Sequence, residues 1–290
     1  MELNKQALRE YAKTLGFADI WFAGADDGQE ITGRRQPRAL MSNASAIVVL
    51  FAAYKPALPA EAGRMALSPY YIASHRSYHA ARAVTEYIKR SGAQALHTDD
   101  ISAKDAALQT GGFLGDNGFY YHPTFGSFVC IQTVLTDAFE PDKTRTVSSG
   151  CLHCGACAAA CPSQAVGCVE QCLRYHSNGL VPEALRSDVY QLLGCERCQI
   201  ACPLNDTARS VPVSFALDQL LQGEATKTLR ELAGPNMARR GRLVSQAALY
   251  AANTRQTQVI DLLKQLAQNE AELIAAHARW AIHQLNGDNE

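Results

Sequence analysis

The segment CLHCGACAAACP, residues 151–162, places four cysteines in the spacing C-x2-C-x2-C-x3-C and follows the last one with proline. A second segment, CERCQIACP, residues 195–203, repeats the C-x2-C-x3-C-P ending but has one cysteine fewer. Nine of the ten cysteines fall between Cys151 and Cys202, and the first residues, MELNKQ, lack the charged-then-apolar order of a secretory signal. Because thiols stay reduced in the cytosol, this dense window indicates bound metal rather than disulfides.

The first spacing is that of bacterial ferredoxins, in which three thiolates of one tight loop bind one [4Fe–4S] cluster and the fourth cysteine ligates another cluster. If each motif gives its last cysteine to the cluster of the other motif, the first cluster has four ligands: Cys151, Cys154, Cys157 and Cys202. Three ligands of the second cluster are identified: Cys161, Cys195 and Cys198. Its fourth ligand is Cys168 or Cys172. Zinc sites are the alternative, but tetrahedral zinc does not explain a third cysteine at x2 followed by x3-Cys-Pro.

The amino-acid composition limits the classes of protein to which this chain can belong. The 290 residues are 47% hydrophobic and 19% charged, which is typical of a globular chain. A net charge of −1 argues against a bulk polyelectrolyte binder, although a basic stretch occurs at Arg230–Arg255. The apolar run near Ala44–Tyr54 is too short to span a bilayer. We therefore expect a soluble, cytoplasmic protein without a membrane partner.

Hydrophobic periodicity predicts an α+β fold in three consecutive parts. Residues 1–145 form an α/β domain around a mixed sheet, residues 146–209 form a ferredoxin-like domain with two clusters, and residues 210–290 form a short helical, HEAT-like tail. The continuous run Ala46–Phe51 indicates a strand that is buried on both faces. The other predicted elements of the first part are a helix near residues 3–15, a strand at 18–23, helices at 70–91 and 101–110, and strands at 119–122 and 128–135. The predicted tail helices are 215–221, 226–232, 239–253, 256–268 and 271–285.

Several segments together resemble the epoxyqueuosine reductases, which share an iron–sulfur and corrinoid architecture with reductive dehalogenases. Arg76–His79 stands where the family has Arg-Asp-Tyr-His, and Gly112–Asn117 is similar to Gly-Trp-x-Gly-Lys-Asn. His122–Ser127 and Leu135–Asp137 follow at matching distances. Between the two cysteine motifs, Gln171–Tyr175 resembles the family's Cys-Ile-Ser-Tyr.

The resemblance implies an electron path. It assigns the missing ligand to Cys172 and leaves Cys168 spare. It also implies that a flavodoxin- or ferredoxin-type donor feeds two [4Fe–4S] clusters, that these reduce a bound cobalamin to Co(I), and that the cobalamin reduces the epoxide of a modified tRNA base held by the helical tail. The residues expected to line the cobalamin are Gly112, Gly115, Asn117, Gly126 and Ser127. We expect no histidine ligand to cobalt, with His75, His79, His97 and His122 as the alternatives.

The chain departs from the family where the catalytic acid is expected. The family has Val-Asp-Ser-Ala-Pro there, whereas this chain has Leu96–Asp100, with no acid at the matched position. The catalytic candidates are therefore Tyr78, His97, Asp99 and Asp100. Asp116 also replaces a family lysine and reverses a charge.

Two other functions compete with that of a corrinoid-dependent iron–sulfur reductase. One is a ferredoxin-like electron-transfer protein without cobalamin, and the other is a non-catalytic tRNA-binding homologue. Cobalt content separates the reductase from the electron carrier, because both would hold the same clusters.

Overall fold

Contacts divide the chain into two compact units. Unit 1 comprises Met1–Tyr54, Ala73–Cys154 and Leu204–Asp206, and unit 2 comprises Lys55–Ile72, Gly155–Pro203 and Thr207–Glu290. The computed structural model describes residues 3–25, 34–145 and 150–287. The second cysteine motif and the helical tail share unit 2, so these units do not follow the three consecutive segments expected from the sequence.

Helices and strands are both abundant, which confirms the predicted α+β class. The strands are β1 (Asp19–Gly24), β2 (Ala46–Ala53), β3 (Arg64–Ala66), β4 (Ala95–His97), β5 (Phe113–Leu114), β6 (Tyr120–Tyr121), β7 (Val129–Thr136) and β8 (Ser214–Ala216). The helices are α1 (Lys5–Thr14), α2 (Pro37–Leu40), α3 (Pro69–Lys89), α4 (Ala103–Leu108), α5 (Ala156–Ala159), α6 (Leu173–His176), α7 (Glu183–Arg186), α8 (Arg197–Ile200), α9 (Leu217–Gln222), α10 (Thr226–Ala233), α11 (Arg240–Asn253), α12 (Ile260–Leu266) and α13 (Glu272–Asn286). Two 3-10 turns cover Val169–Gln171 and Thr257–Val259.

A four-stranded sheet in the order β1-β2-β7-β4 lies in unit 1. Its neighbouring strands all run antiparallel, so the prediction of a mixed sheet was wrong. Seven of the eight β2 residues are buried, as the apolar run predicted. A strand covered on both faces is apolar throughout whichever way its neighbours run, and for this reason the run could not reveal strand direction.

Both faces of the sheet are covered. On one face, Val49 and Phe51 of β2 share a buried cluster with Ala106 and Ala107 of α4. On the other face, Gln132 of β7 hydrogen bonds to Ser77 of α3. The side chain of Ser77 therefore links α3 to the middle of β7.

Unit 2 has one apolar core built from segments far apart in the sequence. Met65 and Leu67 are fully buried in it together with Leu192 and with residues of α9 and α11. The predicted helix at 215–221 is shorter than expected, because Ser214–Ala216 pairs with β3 and α9 begins at Leu217. The pairing partner is 150 residues away, so no local pattern indicates it.

In the described ranges, no helix is both long and apolar enough to cross a membrane.

His277 of α13 makes unit 2 sensitive to acid. The side chain is fully buried, its Nδ1–H donates to the Leu273 carbonyl at 2.6 Å, and its Nε2 accepts from the Val181 N–H at 3.1 Å. Burial lowers the pKa of His277 below its usual 6.5. The folded state therefore favours the neutral imidazole. Its free energy of unfolding is fully retained above about pH 6.5 and falls by up to about 1.4 kcal/mol for each pH unit below that value.

We therefore expect the melting temperature to fall between pH 7.5 and pH 5.5, and we expect the variant His277→Gln to lose most of this dependence. His283→Gln is the matched control, because His283 is exposed on the same helix. Thermal unfolding at both pH values measures the effect. Equal pH dependence in wild type and His277→Gln would contradict the assignment.

Candidate functional site

Five thiols of unit 2 interact electrostatically: Cys157, Cys161, Cys172, Cys195 and Cys198. Burial raises the pKa of Cys198 to about 12, and the next influences in order are the charges of Cys195, Cys172, Cys161 and Cys157. Burial also raises the pKa of Cys195, on which Cys172 and Cys161 act again. Neighbouring buried thiolates are unfavourable unless a metal centre supplies positive charge. A group of neighbouring thiols of this kind is what an iron–sulfur cluster with cysteine ligands requires.

Cys161 differs from the other thiols because its surroundings favour the thiolate. Burial acts to raise its pKa, but hydrogen bonds from the Ser163 hydroxyl and from the N–H groups of Ala165, Ser163 and Gln164 together lower it. The Ala165 N–H lies 3.4 Å from Sγ. Hydrogen bonds to sulfur are a main means by which a protein tunes a cluster.

The two candidates for the fourth ligand have different surroundings. Cys172 is one of the charges that act on both Cys195 and Cys198. The Cys168 thiol instead donates to a Glu170 carboxylate oxygen at 3.5 Å. This arrangement favours Cys172, in line with the resemblance.

The loop before Cys195 is fixed by the helical tail. Leu193 and Gly194 both have left-handed backbone, with φ values of 61° and 104°. The Leu193 N–H donates to the side-chain oxygen of Gln246 at 2.7 Å, and the Gln246 amide nitrogen donates to the Ser177 carbonyl at 2.6 Å. Ser177 follows α6, which begins directly after Cys172. One buried side chain of α11 thus fixes the two loops that carry Cys172 and Cys195.

We expect Gln246→Leu to lower the free energy of unfolding by about 3 kcal/mol, because it leaves a buried N–H and a buried carbonyl without partners. Iron retention should also fall, since the two loops lose their common anchor. Denaturant titration and iron analysis measure the two effects. Gln265→Leu, at an exposed position of α12, is the control and should change neither quantity. Unchanged iron together with unchanged stability in Gln246→Leu would refute the anchoring role.

The four cysteines predicted for the first cluster are divided between the units. Cys151 and Cys154 belong to unit 1, whereas Cys157 and Cys202 belong to unit 2. Within its own unit, Cys151 has its sulfur within 4.8 Å of ligand atoms of Asp116 and His153. His153 Nδ1 is 2.9 Å from the Asp116 carboxylate. Asp116, the acidic residue at the position where the family has lysine, is thus paired with His153 of the cysteine loop.

Two of the four catalytic candidates meet in unit 1. The rings of Tyr78 and His97 contact each other edge to face, with centroids 5.0 Å apart, and 45% of Tyr78 is exposed. His97 Nε2 is 2.9 Å from the side-chain oxygen of Gln132. Asp99 and Asp100 are exposed in the turn after β4, where their backbone carbonyls accept hydrogen bonds from Arg34 and Arg35. The structure therefore brings Tyr78 and His97 together, whereas Asp99 and Asp100 lie in an exposed turn.

The glycines predicted to line cobalamin make room for side chains of the protein itself. A Cβ on Gly112 would lie 2.3 Å from the Tyr120 hydroxyl, and a Cβ on Gly115 would lie 2.7 Å from the Tyr121 ring. A Cβ on Gly126, whose φ is 62°, would lie 2.2 Å from Asn205 Oδ1. Internal packing therefore accounts for all three glycines.

The two polar residues of the predicted cobalamin wall are also engaged internally. Asn117 donates to the Tyr121 hydroxyl at 2.9 Å and accepts from the Phe119 N–H. Ser127 is buried, its N–H donates to Asn205 Oδ1 at 2.7 Å, and its hydroxyl accepts from Asn205 Nδ2 at 2.9 Å. All five residues expected to line cobalamin are thus engaged in contacts within the protein. They do not fit the role of a cofactor-binding surface, which needs polar groups that can bind the cofactor.

One histidine is excluded as a cobalt ligand by its hydrogen bonds. His122 Nδ1 accepts from the Thr124 N–H at 3.1 Å, which places the proton on Nε2, 3.2 Å from the Asp19 carboxylate. Both ring nitrogens are therefore occupied.

Arginines of the predicted RNA-contacting tail differ in exposure. Arg230, Arg239, Arg240 and Arg255 are exposed, and Arg255 donates to the Gln284 carbonyl at 2.9 Å. Arg242 is half-buried and hydrogen bonds to backbone carbonyls, including that of Asn178. Burial lowers the pKa of Arg242. Four of the five arginines in this stretch are therefore exposed.

Sequence reasoning missed three glutamine and asparagine side chains that hold these sites: Gln132, Asn205 and Gln246. Each connects segments more than 30 residues apart. No local spacing or periodicity marks such residues.

Curated relatives of the chain are epoxyqueuosine reductases, although no protein-family model matches it. That of Staphylococcus aureus is 29% identical over 218 residues, which are 67% of this chain and 56% of the relative. That of Bacillus subtilis is 26% identical over 247 residues, which are 69% of this chain and 63% of the relative. The chain therefore matches less than two-thirds of the length of either protein.

Solved structures show the same fold. An epoxyqueuosine reductase with an epoxyqueuosine-modified tRNA stem loop superposes with a TM-score of 0.80 at 22% identity, covering 97% of this chain and 90% of the other. The enzyme from Streptococcus thermophilus superposes with a TM-score of 0.80 at 20% identity, covering 98% and 90%. The fold thus extends over nearly the whole chain.

Proposed function

We propose that this chain, whose resemblance to the epoxyqueuosine reductases is confirmed by these relatives, is an iron–sulfur oxidoreductase in which two [4Fe–4S] clusters deliver electrons for the reduction of a substrate. The carrying observation is the group of five interacting thiols in unit 2. Four of them are proposed as the ligands of one cluster: Cys161, Cys172, Cys195 and Cys198. The second set, which completes the proposal, is Cys151, Cys154, Cys157 and Cys202. A low-potential donor of the flavodoxin or ferredoxin type would supply the electrons.

Each part of the chain has a separate task in this proposal. Clusters with four cysteine ligands have no open iron position, so they transfer electrons and leave bond chemistry to another group. The Tyr78–His97 pair offers the polar, partly exposed groups that could supply a proton. The exposed arginines of the basic stretch in the tail would bind an RNA backbone: Arg230, Arg239, Arg240 and Arg255.

Cobalamin is the electron acceptor that the resemblance implies, and it supplies a strongly reducing Co(I) centre when bound. The five residues expected to line it are engaged in internal packing, so this part of the proposal depends on the resemblance alone. The same observation favours a second function. An electron-transfer protein with the same clusters and no cobalamin would need those residues only for packing.

Metal analysis and a reduction assay test the proposal. Anaerobically reconstituted protein should contain about eight irons and eight acid-labile sulfides per chain. With added cobalamin and dithionite it should reduce an epoxyqueuosine-modified tRNA stem loop. About four irons, or stoichiometric zinc, would refute the cluster assignment. Full iron content with no retained cobalt and no reduction would establish the electron carrier instead.

A further inference from the structure

The orientation of His97 follows from a chain of hydrogen bonds that starts at a backbone carbonyl. The Ser74 carbonyl can only accept, so the Ser77 hydroxyl donates to it, at 3.0 Å. With its proton used, the Ser77 oxygen accepts from the Gln132 amide nitrogen at 3.1 Å. This assigns the nitrogen of the Gln132 amide to the Ser77 side.

The remaining atom of the Gln132 amide then determines the tautomer of His97. Its oxygen, which can only accept, lies 2.9 Å from His97 Nε2. His97 Nε2 must therefore carry a proton in both the neutral and the charged imidazole. Consequently Nδ1 is the nitrogen that gains and loses a proton.

His97 also occupies a position that a substrate can reach. It is partly exposed, and Tyr78, which contacts its ring, is exposed over 45% of its surface. Among the described residues, other titratable groups of this region are His79, whose ring contacts Tyr78, and Asp99 and Asp100 of the following turn. Gln132 and Ser77 are uncharged, so they orient the imidazole without fixing its charge.

We infer that His97 is the proton donor of the proposed reduction, acting through Nδ1, with Gln132 and Ser77 as positioning residues. The inference rests on the proposed function. Removal of an epoxide oxygen breaks two C–O bonds, forms a C=C bond and releases water, at the cost of two electrons and two protons. The low-potential donor supplies the electrons, His97 Nδ1–H supplies one proton to the departing oxygen, and solvent supplies the other. His97 is left neutral, with Nε2–H still bonded to Gln132.

Two variants test this role. His97→Gln should slow single-turnover reduction of the epoxyqueuosine-modified stem loop by about 100-fold or more, the usual contribution of a general acid, while iron content stays at the wild-type value. Gln132→Glu should move the alkaline limb of the pH–rate profile, where the imidazolium of His97 loses its proton, to higher pH by about one unit, because a carboxylate at Nε2 stabilises the imidazolium. Gln265→Glu, which adds the same charge at an exposed position of α12, should leave rate and profile unchanged.

Long-range ¹H–¹⁵N correlation spectra of the full chain provide a readout independent of activity. Nε2 should stay protonated across the titration while Nδ1 changes state, and the Nδ1 midpoint should rise in Gln132→Glu. A neutral His97 protonated on Nδ1, or wild-type reduction rates in His97→Gln, would overturn the inference. If wild type reduces nothing, the proposed function fails, and with it the role of His97 as donor to this substrate. The spectra then still decide whether Nδ1 is the exchanging atom.

Discussion

Replacing Cys172 with serine is expected to destroy or convert one of the two clusters. Iron should fall from about eight per chain to about four, or to about seven if a three-iron cluster survives. The reason is that the second motif supplies one thiolate too few, and Cys172 acts electrostatically on Cys195 and Cys198 of that motif. Iron analysis and electron paramagnetic resonance of the reconstituted protein measure the loss.

Two other cysteines are matched controls for this experiment. Cys168→Ser should keep full iron, because the Cys168 thiol hydrogen bonds to Glu170. Cys130→Ser should do the same, because Cys130 is buried in β7, outside both motifs. Loss of iron in Cys168→Ser but not in Cys172→Ser would reverse the assignment of the fourth ligand.

Gly112→Ala is expected to lower the free energy of unfolding by about 3 kcal/mol, whether or not a cofactor is bound. The new Cβ would lie 2.3–2.4 Å from atoms of the Tyr120 ring. That ring is 2% exposed, hydrogen bonds to Thr110 at 2.7 Å and stacks on Phe51, so it has little freedom to move. Overpacking of this kind costs about 1–3 kcal/mol and sometimes more.

Chemical denaturation of the cobalamin-free protein measures this loss. Gly150→Ala is the control, because its Cβ would meet nothing within 4 Å. Equal stability of the two variants would show that Gly112 is not required for packing. A normal free energy of unfolding combined with lost cobalamin binding would then support the cofactor-wall role instead.

The chain's local patterns predicted most of its regular structure. The apolar run of β2 and the 3.6-residue periodicity of α11 and α13 gave bounds within a few residues of those observed. These predictions succeed because burial repeats at a fixed spacing along the chain, so neighbours in sequence carry the signal. The strand β8 was missed because its partner, β3, is distant in sequence.

The candidate site was only partly predictable for the same reason. Cysteine spacing predicts the ligand segments, because most ligands of one cluster come from a short loop. His97 and Tyr78 were chosen one at a time, by position relative to a family pattern, and nothing in the sequence showed that their rings touch. The role of Gln132 was not considered at all.

What the sequence determined by itself is the class of chemistry: a chain whose cysteine spacing is built for iron–sulfur clusters, with strands and helices bounded by their own periodicity. Only the tertiary structure decided how the sites are held. It showed that Gln246 fixes two cysteine loops, that Asn205 fills the space beside Gly126, and that Gln132 orients His97. Each of these contacts joins residues that are tens of positions apart. Their geometry exists only after the strands and helices have packed, so no local pattern in the chain can record it.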